Sequence, residues 1–178
     1  MRRANAILSA LILVLFLLHA VLGSFQLFGV GTATMKGLSH GMTTLVAVHT
    51  VLGLILTVQS LRVWRRTGAP YLRQNALFWA RRLSGLAIMA LLVFHLYAFS
   101  YTAEGVFRLR WFTGARLATQ LMLLASIAVH VIANVKPMLI SFGVRRLKPR
   151  SADLLFVLSA LLLVMAAAFV IYYLRWNG

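Results

Sequence analysis

Long apolar runs separated by short polar stretches cover the whole chain. Five of them reach the ~20 residues that a helix needs to cross the hydrocarbon core of a bilayer. They lie at roughly 5–29, 38–63, 76–101, 115–140 and 152–174. All five predict helices, because an open strand in lipid leaves its backbone N–H and C=O groups unpaired. The stretches between them are short: VGTATMKG at 30–37, WRRTGAPYLRQN at 64–75, TAEGVFRLRWFTG at 102–114 and SFGVRRLKPRS at 141–151. The second carries a Gly-Ala-Pro break, and the second and fourth are basic. No internal repeat or low-complexity tract interrupts the pattern. The expected fold is therefore an all-α integral membrane bundle, a single domain over residues 1–178 with five spans. The first run follows Arg2 and Arg3 and has the outline of a secretory leader. Its apolar stretch is longer than a leader's core, so it is expected to stay as a span.

Composition sharpens this reading. At 62% hydrophobic and 11% charged residues, the chain is not an ordinary soluble domain. Glu104 and Asp153 are its only acids, against eighteen Lys and Arg. A hydrolase or phosphoryl-transfer enzyme normally needs more carboxylates than that. The net charge of +16 does not point to nucleic acid, because the cations gather at the ends of the apolar runs. There they orient the protein, meet anionic lipid or dock a partner. Lys36, Arg108, Arg110, Arg116 and Arg175 fall on one side, and the other thirteen on the opposite side. The excess places the N-terminus in the cytoplasm, the C-terminus outside, and the chain in the cell inner (cytoplasmic) membrane. The chain contains no cysteine, which removes thiolate metal sites and disulfides.

Within this apolar background, four of the spans each carry one deep histidine: His19, His49, His95 and His130. An imidazole in lipid costs free energy unless something binds it. The simplest cofactor for four such rings is haem, two rings to an iron. Depth from the outer face follows from the ~1.5 Å rise per helical residue. His95 lies roughly 13 Å down and His19 about 15 Å, whereas His49 and His130 lie near ~20 Å and ~21 Å. This separates an outer pair, His19 with His95, from an inner pair, His49 with His130. Hydrogen-bonding helix contacts are the alternative use of such residues. A zinc site asks for clustered ligands, and the spans show no such cluster in sequence.

Residues 75–97, NALFWARRLSGLAIMALLVFHLY, resemble the cytochrome b anchor of succinate dehydrogenases and fumarate reductases. The resemblance rests on Arg-Leu-Ser-Gly opening a helix, with a histidine thirteen residues after the arginine. His130 followed by Asn134, and then Ser141-Phe142-Gly143, is similar to the next helix of that family. The five-helix, dihaem branch is the nearest in layout. The resemblance implies that His19 and His95 ligate the outer haem b, and His49 and His130 the inner one. It implies electron transfer between a membrane quinone, menaquinone or ubiquinone, and a cytoplasmic iron–sulfur subunit. That subunit serves a flavoprotein subunit, and the complex can assemble into higher oligomers. It also implies that Arg82 and Ser84 lie near haem propionates or quinone. Such an anchor does not turn over dicarboxylates by itself, because the chain has no flavin motif and no iron–sulfur cysteines.

One departure from the family concerns the quinol proton. Menaquinol-oxidising dihaem members are expected to have a carboxylate near the outer end of the second helix, and none is present here. His40 stands in that region, either as a proton acceptor or as an ordinary interfacial histidine. Glu104 in the outer connection is the other acceptor candidate, or a solvated loop acid. Arg81 and Arg82 are placed to hold propionates by charge-assisted hydrogen bonds, or to anchor the inner boundary. Lys136 either reaches an inner propionate or snorkels to the interface. Two rival readings remain: a b-type cytochrome serving another dehydrogenase or reductase, and a haem-free membrane scaffold or transporter.

Overall fold

The computed structural model describes residues 2–28, 35–68, 75–99, 101–103, 106–108, 111–144 and 147–177. Five helices account for nearly all of them: α1 (Arg2–Leu27), α2 (Met35–Thr67), α3 (Ala76–Phe99), α4 (Gly114–Ser141) and α5 (Leu147–Asn177). Each is long and apolar enough to cross a membrane. Their outward faces carry Leu11, Val14, Val93, Phe156 and Leu163, all more than half exposed. A soluble protein does not display apolar surface on this scale. The fold is that of a multi-pass membrane protein.

The helices run a few residues beyond the predicted spans at several ends, and the local chemistry explains where they stop. Thr113 caps α4, its Oγ1 accepting from the Arg116 N–H at 3.3 Å. At the other end Gly143 adopts φ 74°, its N–H bonds the Ile140 carbonyl, and the Val144 N–H reaches back to Leu139. This is a Schellman stop, and it requires the left-handed conformation that glycine adopts freely. Gly143→Ala is expected to cost about 1–2 kcal/mol through that conformation, read as a lower unfolding midpoint in detergent. Gly68 ends α2 in the same region of backbone space (φ 65°). In α5 the helix begins at Leu147, because Pro149 falls in the first turn, where its missing N–H costs nothing. The connection after α3 contains a small antiparallel ribbon, β1 (Tyr101–Ala103) with β2 (Val106–Arg108), which the sequence pattern did not predict.

α3 and α4 pack against each other most extensively, and α5 packs on α4 and α1. A buried hydrophobic cluster lies at one end of the bundle, where Leu27, Phe112, Leu124, Ala168, Phe169 and Tyr172 meet. Phe99 of α3 joins this cluster and places its ring 5.0 Å from that of His95. α2 is different. Close backbone packing joins it to α1, and its most apolar window has no fully buried residue. Side chains rather than backbones bridge α2 to α3, as where Thr50 Oγ1 meets Met89 Sδ at 3.2 Å.

Candidate functional site: two histidine pairs

The four helical histidines come together as two pairs. The ring centroids of His19 and His95 are 6.0 Å apart, and those of His49 and His130 are 6.3 Å apart. Two imidazoles binding one metal from opposite sides, each nitrogen about 2 Å from it, hold their ring centres about 6 Å apart. Among the described residues no third His, Asp or Glu joins either pair. The arrangement therefore suits a metal with two protein ligands better than a three- or four-ligand zinc centre.

The pairs lie at different levels. Ser84 of α3 touches His130, and Gln120 of α4 touches His95. Along α3, Ser84 and His95 are eleven residues apart, about 16 Å of helix. Along α4, Gln120 and His130 are ten residues apart, about 15 Å. The two antiparallel helices thus give the same separation independently.

Hydrogen bonds fix two of the four rings. Ser84 is buried, and its hydroxyl donates to the Ala80 carbonyl, so its oxygen accepts from His130 Nδ1–H at 3.1 Å. Gln120 is fully buried, and its Oε1 accepts from His95 Nδ1–H at 2.8 Å. An imidazole protonated on Nδ1 keeps its Nε2 lone pair for a metal, the usual relation between a ligand and its outer partner. Nδ1 of His19 and of His49 is buried without a hydrogen-bond partner. Gly85 lies against His130, where an added Cβ would meet the ring Cε1 at 3.4 Å. No such contact surrounds Gly53, where a Cβ would find open space.

The two arginines divide into different tasks. Pro137 is inside α4 and supplies no N–H to the carbonyl of Ala133, four residues earlier. Arg81 Nε donates to that carbonyl at 2.9 Å. Arg81 is thus a staple between α3 and α4 at a proline-freed acceptor, a role that sequence reasoning missed. The signal was available, since an interior proline always frees a carbonyl one turn back. Arg82 reaches the other way, its Nη1 donating to the Gly53 carbonyl of α2 at 3.3 Å. Its Nε is buried and unbonded. Helices α1–α4 contain no Asp or Glu to neutralise it.

The remaining candidates lie apart from the pairs. His40 is exposed on α2. Nine residues at ~100° each place it on the face opposite His49. Lys136 is exposed and turned away from the buried interior. Glu104 lies outside the described residues, as do 69–74 and 145–146 of the two basic connections. Gln120 was also missed. An amide within the apolar run of helix α4 is costly in lipid for the same reason as a histidine, and that was its signal. No protein-family model, curated protein or solved structure matches this chain.

Proposed function

We propose that this chain is a five-helix dihaem cytochrome b, the membrane anchor of a succinate dehydrogenase or fumarate reductase complex. In this reading it passes electrons between a membrane quinone and a cytoplasmic iron–sulfur subunit, with its N-terminus in the cytoplasm. The observation that carries the proposal is the pairing of His19 with His95 and of His49 with His130 at a spacing that would let the two rings of each pair hold one iron between them. The donor set fits haem b. Two Nδ1–H rings have free Nε2 lone pairs, and two further rings have Nδ1 atoms without protein partners. Arg82, half-buried beside the inner pair with an unbonded Nε and no carboxylate on α1–α4, suits an anionic propionate.

Bound haem supplies one-electron chemistry. The chain's own residues do the rest. The histidines hold each centre at its level, and Ser84 and Gln120 orient two of the rings. The aromatic cluster of Phe99, Phe112 and Phe169 closes one side of the outer pair to water. His40 and Glu104 are the proposed acceptors for a quinol proton.

The partner rests on the Arg-Leu-Ser-Gly resemblance alone, and one observation favours a wider reading. Ser84 of that element bonds a histidine ring, and Gly143 of the later element ends a helix. Both tasks would serve any dihaem bundle, so a b-type cytochrome with another dehydrogenase or reductase is the second reading. The purified protein is expected to show the reduced α-band of bis-histidine haem and two haems per chain by pyridine haemochrome assay. Absence of haem would leave a scaffold or transporter. An outward-facing catalytic partner in the purified complex would select the second reading.

A further inference from the structure

α3 and α4 each carry a histidine that is held by the other helix. His95 of α3 bonds Gln120 of α4, and His130 of α4 bonds Ser84 of α3. A second contact orients the Gln120 amide. Its NH2 group faces Thr119 Oγ1 at 3.4 Å, and that hydroxyl gives its own proton to the Arg116 carbonyl. Oε1 is left facing the His95 ring, which satisfies it only as Nδ1–H. The rings on α1 and α2 have no equivalent support, since Nδ1 of His19 and of His49 has no partner.

We infer that α3 and α4 form a preorganised half-site, in which Gln120 is the positioning residue for the outer pair and Ser84 for the inner. The ligand rests on the haem reading above; the tautomers of the two rings do not. A carbonyl acceptor on Nδ1–H moves electron density into the ring and favours the oxidised metal. Removing it raises the midpoint potential of that centre. Loss of such outer partners typically weakens metal affinity about ten- to a hundredfold.

The test uses full-length protein in detergent, as wild type, Gln120→Leu, Gln120→Glu and Ser84→Ala. The hydrogen bonding of each Nδ1–H is read by 15N and 1H NMR of histidine-labelled, reduced protein, and potentials by spectroelectrochemical titration. Gln120→Leu is expected to remove the hydrogen-bond shift from one histidine Nδ1–H, to raise one of two potentials and to speed haem release from that centre. Gln120→Glu keeps an acceptor and is expected to restore both readouts toward wild type. Ser84→Ala is expected to shift the other centre. Unchanged Nδ1–H shifts and potentials in Gln120→Leu would overturn the inference, as would Ser84→Ala and Gln120→Leu shifting the same centre. Protein that lacks haem yet loses the Nδ1–H hydrogen-bond signature in Gln120→Leu would sink the haem reading and leave the half-site standing.

Discussion

Replacing His95 with alanine is expected to lower the haem content from two per chain to one, and His19→Ala to remove the same haem. The pairs predict more than the single variants do. His19→Ala combined with His95→Ala should still leave one haem, because both rings serve one centre. His95→Ala combined with His130→Ala should leave none, because these rings belong to different pairs. His49→Ala is expected to match His130→Ala in the reduced-minus-oxidised spectrum. Haemochrome assays on the four singles and two doubles decide the matter. A His19→Ala/His95→Ala protein that loses both haems would refute the pairing. The basis is geometric, since the rings of each pair stand 6.0 or 6.3 Å apart, and removing one leaves the other facing a truncated side chain.

The second large effect concerns stability. Arg81→Met should destabilise the bundle by about 1–2 kcal/mol, because it strands the Ala133 carbonyl without a donor in an apolar interior. The loss is expected to depend on Pro137. In a Pro137→Ala background, residue 137 regains an N–H and can close the ordinary helical bond to Ala133. There Arg81→Met should cost much less. A double-mutant cycle on unfolding midpoints measures the coupling. Additive losses would show that Arg81 contributes through something other than the proline-freed carbonyl. The cycle also separates the two arginines. Arg82→Met leaves Ala133 satisfied, so its loss should be the same whether residue 137 is proline or alanine.

The five helices were legible because lipid leaves the backbone few choices. A run of apolar residues long enough to span must pair its own N–H and C=O groups, and only a helix does so. The histidines were legible for a related reason, since an imidazole in such a run is costly and so stands out against leucine and valine. Even their sorting followed from helical rise, and the structure brings together the same partners, His19 with His95 and His49 with His130. The helix ends were less legible. The three extra residues at the start of α2 and the first turn of α5 extend beyond the apolar runs, where hydropathy gives no signal.

Which neighbours surround those histidines was not in the sequence. Ser84 was noticed for its motif, but its contact with His130 depends on the crossing of α3 and α4. Gln120 drew no attention until the same crossing set it against His95. Arg81 and Arg82 are adjacent in sequence and read as one basic pair. Successive helical residues point about 100° apart, so the fold sends one to α4 and the other to α2. The sequence by itself determined five spans, their polar exceptions and the levels of those exceptions, because these depend on transfer from water and on rise per residue. Only the tertiary structure decided which side chain holds which ring and which arginine is tied to which helix. Those contacts depend on rotation about each helix axis and on register between helices, and both are set by side-chain packing across the bundle.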